Sequence, residues 1–377
     1  MFHTWTIESL QLYWWAIIAL LGGLFAFMTF VQGGQTLIDK LGRNEEEKTM
    51  IIASLGLKWE IGFTTLVLFG GALFAAFPLF YATSFGGAYW VWLGILFTFV
   101  LQAVSYEFRK KENNFLGQKT YEVFMKINGW LGVFLIGAAL STLVTGADYK
   151  LNDMNFVVWQ SPLRGLEALF DFRNYFLPIA LIFLARILAA MYFINNIHVK
   201  DIQERCRTLI LREMFIFLPF FLAFVAVLLL TSSRVYDPNL EVMNIVEFGY
   251  LKNLISNPVL LVLLLVGVVL VLVSFFMIYK KVDTKAIFFG GVGTVLTVTI
   301  VLFTLGVNNT SFYPSNADID HSLTLLSASS SHYTLSTMAY VSLLVPFVLG
   351  YIVMVWRALD RQKITKDGFD ANDPHNY

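Results

Sequence analysis

A single cysteine, Cys206, stands in the 377-residue chain, which excludes an intrachain disulfide and a thiolate metal cluster. It lies in the basic stretch "DIQERCRTLILRE" and is expected to be an ordinary thiol on the cytoplasmic side. Charge is scarce as well. Only 14% of residues are charged against 57% hydrophobic, with a mean hydropathy of +0.68, a balance far from that of a soluble domain. No Walker loop, no Gly-x-Gly-x-x-Gly after a strand and no His-Glu metal motif occurs, so nucleotide hydrolysis and hydride transfer have no local support. No nucleic-acid partner is expected. Five histidines occur, His3, His198, His321, His332 and His375, none deep in an apolar run, whereas haem held between two helices needs an inward imidazole at depth. The chain by itself therefore predicts no haem site.

What is present is long apolar runs. A bilayer core of about 30 Å takes about 20 apolar residues per helix, and backbone groups in lipid must be satisfied within the segment, which selects helices. Nine spans are predicted, at 11–31, 60–80, 88–107, 124–146, 174–197, 210–231, 258–279, 286–306 and 334–356. The first apolar run has span length and no basic leader, so it is expected to stay in the mature chain. Glycines such as those of "FFGGVGTV" (288–295) suit close helix packing better than phosphate binding.

Lys and Arg collect on the cytoplasmic side of membrane proteins. With the N-terminus outside, twenty of the 26 Lys and Arg fall in inner segments, five fall outside, and Arg186 lies within span five. Spans one to four and five to eight then share one orientation, which predicts two parallel four-helix bundles closed by a ninth helix: 1–146, an outer connection 147–173, 174–306, and 307–377 carrying an outer loop, the last span and a cytoplasmic tail. The outer connections 147–173 and 232–257 read as interfacial amphipathic segments rather than folded domains.

Between Ile61 and Tyr106 there is no charged residue, and Glu60 and Glu107 bracket this silence. Both fall at the inner ends of two adjacent antiparallel spans. One reading makes them interfacial charges beside Lys58 and Arg109; the other makes them proton-exchanging carboxylates, whose proximity would favour protonation of at least one. Arg186, in "LIFLARILAAMYF", is the one cation read near a bilayer centre, and such residues face the protein interior and a partner. No carboxylate of the chain is expected at its depth. Backbone carbonyls with Gln32 or Gln102, or an acid on another subunit, are its expected partners.

"YWWAIIALLGG" in span one, "GGALFAAFPLFYATSFGGAYW" (70–90), "SYEFRKK" closing span three and "SSSHYTLSTMAYVSLLVPFVLGYIVMVWRAL" in span nine resemble subunit II of the cytochrome bd type quinol oxidases over nearly the whole chain. The resemblance implies a haem-free, nine-helix subunit of the bacterial plasma membrane. Its partner, subunit I, would carry two b-type haems, haem d and the quinol site. The complex would oxidise quinol near the outer face and reduce oxygen to water with cytoplasmic protons. A small single-span subunit and a bound quinone or lipid also fit the family. Trp59 and Glu60 fall where the family has Trp-Asp, and Glu107 where it has Asp before an aromatic residue and Arg. Two departures matter. Gly62 and Phe63 replace the family's Asn-Glu, and Thr29 and Gln32 replace the two aspartates of its Asp-Gly-Phe-Asp stretch, so a proton route through those aspartates is not carried over. The competing classes are a solute transporter or channel, which would show broken helices and ionisable midplane residues, and a structural scaffold; only Arg186 fits the former.

Overall fold

The computed structural model describes residues 2–111 and 114–369, so His375 lies outside the described residues. Among them, nine helices are long and apolar enough to cross a membrane. The first comprises α1 (Ile7–Met28), capped by the Thr6 side chain on the Ser9 amide, and its offset continuation α2 (Phe30–Gln35). A short α3 (Ile38–Leu41) then leads into α4 (Glu45–Gly56), where Asn44 caps the Glu47 amide and three glutamates fill the first turn, the favoured sign at a helix N-terminus.

The second span is α5 (Trp59–Ala76); it breaks at Phe77 before Pro78, whose ring cannot continue the helix, and resumes as α6 (Pro78–Tyr81). A π-helical turn at Ala82–Gly86 returns the chain as α7 (Tyr89–Phe108). The fourth span is α8 (Gln118–Ile127), a π-helical turn at residues 128–132, and α9 (Val133–Thr145). Next come α10 (Phe176–Asn196) and α11 (Lys200–Leu230), then α12 (Gly249–Ser256), α13 (Pro258–Lys280) and α14 (Ala286–Gly306). The short α15 (Leu325–Ala328) precedes the last span, α16 (His332–Ser342) and α17 (Val345–Leu359), divided ahead of Pro346.

The connections expected to be interfacial amphipathic segments instead open with antiparallel hairpins, β1 (Tyr149–Leu151) with β2 (Val157–Trp159) and β3 (Ser233–Asp237) with β4 (Val242–Val246). The turns supply the reason: Asn155 and Glu241 take positive φ of 58° and 54°, reversing the chain where a helix would have to continue. Both hairpins lie at one end of the helices, together with the segment around Phe312 and Tyr313. The opposite end carries α3, α4 and most of the Lys and Arg; it is the basic end.

The core is helix on helix. α1 packs on α14 and α5, α10 on α11, α2 and α9, and α13 on α14. The small residues allow close approach at the basic end: a Cβ on Gly33 would lie 2.2 Å from the Ala185 carbonyl carbon, and one on Gly129 would lie 2.4 Å from the Gln32 carbonyl oxygen. Thus α2 is seated against both α10 and the π-helical turn. Its polar side chains have nowhere to go but inward.

Candidate functional site

Because α5 begins and α7 ends at the basic end, Trp59 and Tyr106 meet there, with rings stacked 5.7 Å apart and 9° from parallel. Each has an acid as its chain neighbour. Glu60 is exposed, and Glu107 is 58% exposed with its carboxylate 3.2 Å from Lys111 Nζ. The bases expected beside them are engaged elsewhere. Lys58 is fully buried, its ammonium 3.0 Å from Asp360 and 4.5 Å from the centre of the Trp356 ring. The Tyr192 hydroxyl donates to the same Asp360 oxygen at 3.1 Å. Arg109 donates from Nε and Nη2 to Glu122 at 3.1 and 2.8 Å, both side chains buried. Lys58 thereby pins the start of α5 to the end of α17, and Arg109 pins the end of α7 to α8.

Behind the stacked pair runs a buried polar seam. Thr98, Gln102 and Tyr106 recur every fourth residue and so share one face of α7, all of them buried. Gln32 and Gln35, one turn apart on α2, both donate to Gln102 Oε1 at 2.7 Å, and Gln35 donates also to the Tyr106 hydroxyl at 3.3 Å. Thr29 turns away and donates to the Ala26 carbonyl of its own helix. From the sequence, Gln32 and Gln102 are assigned to Arg186 and Gln35 is not picked out, although the helical spacing of Gln32 and Gln35 within an apolar span is a readable signal.

Arg186 is buried, and the expectation that the chain holds no acid at its depth is corrected. Its guanidinium donates to both oxygens of Glu213, through Nε at 2.8 Å and through Nη2, and to Thr36 Oγ1 from Nη1 at 2.5 Å. The Trp130 ring lies 5.0 Å from the guanidinium carbon. Gln32 and Gln102, proposed as its partners, bond to each other instead. The physical reason is the length of α11, which begins at Lys200, ten residues before the predicted span. Arg186 is ten residues before the end of α10, and Glu213 thirteen after the start of α11, about 15 and 20 Å of rise on either side of one short turn. Arg186 is the middle residue of α10, and Lys40, half exposed, comes within 3.9 Å of Glu213, so one side chain's length separates the pair from the surface of the basic end. Burial, and then the nearby Arg186 charge, hold the Lys40 ammonium below its ordinary pKa. At the same rim the Lys126 ammonium donates to Asp39 at 2.5 Å and, with Lys48, holds that carboxyl below its usual range.

The described histidines sit at the periphery. His3 bonds to Ser336, His332 to the Trp5 carbonyl, His321 faces Asp318, and His198 is exposed. Among the described residues no group of three His, Cys, Asp or Glu gathers into a metal site. Cys206 is buried, the setting of an inert thiol.

A family model described as cytochrome bd terminal oxidase subunit II matches residues 10–359. The cytochrome bd-I ubiquinol oxidase subunit 2 of Escherichia coli K12 is 27% identical over 98% of this chain and 99% of its own length. The cytochrome bd ubiquinol oxidase subunit 2 of Bacillus subtilis 168 is 27% identical over 91% and 94%. The solved structure of bd oxidase from Geobacillus thermodenitrificans aligns over 93% of this chain and 98% of the matched chain, with a TM-score of 0.64 at 12% identity, a likeness of fold.

Proposed function

The chain belongs to the cytochrome bd terminal oxidase subunit II family, whose members are subunits of a quinol-oxidising oxidoreductase complex, and from that premise we propose that it is a haem-free subunit that supports the haem-bearing subunit I and admits protons for oxygen reduction. The reading extends to topology: N-terminus outside, basic end and C-terminus in the cytoplasm of a bacterial plasma membrane, with residues 1–146 and 174–306 as two parallel four-helix bundles. The complex would carry two b-type haems and haem d in subunit I, with quinol bound there and room for a lipid or quinone and a small single-span subunit at this one.

One observation carries the proton role. Exposed Glu60 and Glu107 flank a stacked Trp59–Tyr106 pair, and the Tyr106 hydroxyl joins that pair to the buried Gln35–Gln102–Gln32 seam. An exposed carboxylate exchanges protons with water, and a buried hydrogen-bonded seam passes them inward. The remaining residues have supporting tasks: Trp59 holds Tyr106 in place, Lys58 and Asp360 fix the start of α5, and Arg186 with Glu213 joins α10, α11 and α2. A transporter reading has little to stand on, since Arg186 is locked in an ion pair rather than offered to a solute path.

The test is quinol-driven oxygen consumption by the assembled oxidase carrying Glu60→Gln, Glu107→Gln or both, with haem content measured in each. A partial loss in each single variant and a larger one in the double, growing toward alkaline pH where protons are scarce, is expected. Parental turnover of a fully assembled double variant at alkaline pH would return both acids to an interfacial role.

A further inference from the structure

The seam holds more hydrogen-bonding atoms than the protein can satisfy. Gln32, Gln35, Gln102 and Asn128 are each 1% exposed or less. Among their buried atoms, Gln32 Oε1, Gln35 Oε1, Gln102 Nε2 and both Asn128 side-chain atoms have no protein partner, and Trp59 Nε1 beside them has none either. Asn128 belongs to the same cluster: its Nδ2 lies against Gly132 and so does Thr98 Oγ1, one turn along α7 from Gln102, while the adjacent Gly129 abuts the Gln32 backbone.

Turning the amides does not resolve the count. Oxygen and nitrogen of an amide are interchangeable in shape. As drawn, Gln102 Oε1 receives two N–H groups, leaving its own two N–H donors and two neighbouring oxygens over. With all three amides turned, Gln102 gives both its N–H groups to two oxygens, and its oxygen and the neighbours' N–H groups are left over. Each arrangement strands donors and acceptors together. A buried polar atom left without a partner is costly, and six of them together would weigh heavily against the marginal stability of a folded chain.

We infer that Gln32, Gln35, Gln102 and Asn128 form a buried hydration site that takes a cluster of at least two water molecules. The class of occupant follows from the mixture of groups. A metal cation would use the oxygens and strand the N–H donors, and an anion would do the reverse; water gives and accepts, and buried water makes about three such bonds. The π-helical turn at 128–132 fits this role, since such turns open the helix ladder and recur at functional sites. On the proposed proton role, this site would be the inward continuation of the route, conducting through water with no titrating side chain where the family resemblance leads one to expect aspartates.

The decisive measurement is cryo-electron microscopy of the intact oxidase, at a resolution where other buried waters are seen, together with infrared difference spectra in H2(18)O. Two or more densities within hydrogen-bond reach of the named atoms, and oxygen-isotope-sensitive O–H bands that disappear in Gln102→Leu but persist in Glu60→Gln, are expected. A cage closed on itself with no density, or bands unchanged by Gln102→Leu in an assembled complex, overturns the inference. Both readouts are independent of turnover, so a silent Glu60 and Glu107 would sink the proton role while leaving the water site standing.

Discussion

Removing one member of the Arg186–Glu213 pair should cost more than removing both. In the native chain the two side chains are 0% and 2% exposed, so Glu213→Ala leaves a buried guanidinium with Thr36 Oγ1 and the Trp130 face but no counter-charge. Stranding one partner of a buried ion pair costs about 3–5 kcal/mol, whereas replacing both with apolar groups of similar volume is often neutral or stabilising. Since 1.4 kcal/mol is a factor of ten, the single variant should lose about two to three and a half powers of ten in its folded ratio. The double variant Arg186→Met with Glu213→Leu should recover most of this. A loss of 1 kcal/mol lowers the melting temperature by about 2–4 °C in chains of 150–250 residues and by less in longer ones, so a drop of several degrees is expected on heating purified oxidase, followed by aggregation and by the haem absorbance of the complex.

Lys40 supplies an internal control. It is 3.9 Å from Glu213 and feels the Arg186 charge; with Glu213 gone, the two cations repel unopposed, and Lys40→Ala should restore part of the stability of Glu213→Ala while changing the parent little. A single variant melting with the parent, or a double variant as poor as the sum of the singles, would refute the reasoning.

Three further outcomes are expected. Asp360→Ala strands the fully buried Lys58 at a comparable cost of about 3–5 kcal/mol, read as easier proteolysis beyond Leu359, and Lys58→Met in the same chain should reverse much of it. Asp39, whose carboxyl is held low chiefly by Lys126, contributes stability that is present above its unfolded pKa of about 3.9 and lost as pH falls through the lower folded value; Asp39→Asn should flatten this acid limb of thermal stability. The chain expressed without its partner should purify without stoichiometric haem, and a haem-stained band from the isolated chain would contradict that.

Much of the helical frame was legible because its boundaries are written in residues that stop helices or leave lipid. Span seven was read at 258–279 and is Pro258–Lys280, opened by Pro258 after the Asn257 cap; span eight was read at 286–306 and is Ala286–Gly306. Span six failed at one end for a clear reason. Hydropathy senses the lipid-facing stretch and not the helix, so the charged turns from Lys200 onward read as a loop, and nothing in the sequence brings Glu213 opposite Arg186. The hairpins go unread for another reason: Asn155 and Glu241 reverse the chain by adopting positive φ, a conformation that Asn tolerates but that Glu gives no sign of in the sequence. Glu60, Glu107 and Trp59 were legible as residues, but the stack that joins Trp59 to Tyr106 required the antiparallel return of α7 along α5.

The distribution of polar chemistry along this end of the molecule follows from what burial costs each group. Carboxylates without a cation stay at the surface, as Glu60 does, because an isolated buried charge is the most expensive group to remove from water. Where charge does go inside, it goes in pairs: Lys58 with Asp360, Arg109 with Glu122, Arg186 with Glu213. A carboxylate buried against its cation resists protonation and makes a poor carrier, whereas the exposed Glu107–Lys111 pair is screened by solvent. Neutral amides are cheaper to bury and remain hydrogen-bonding in both directions, which is why the interior between the exposed acids and the helix core is lined with Gln32, Gln35, Gln102 and Asn128. On the proposed reading, this chain thus separates two tasks that an interior aspartate would combine: the surface acids collect the proton, and the amides hold the water that carries it.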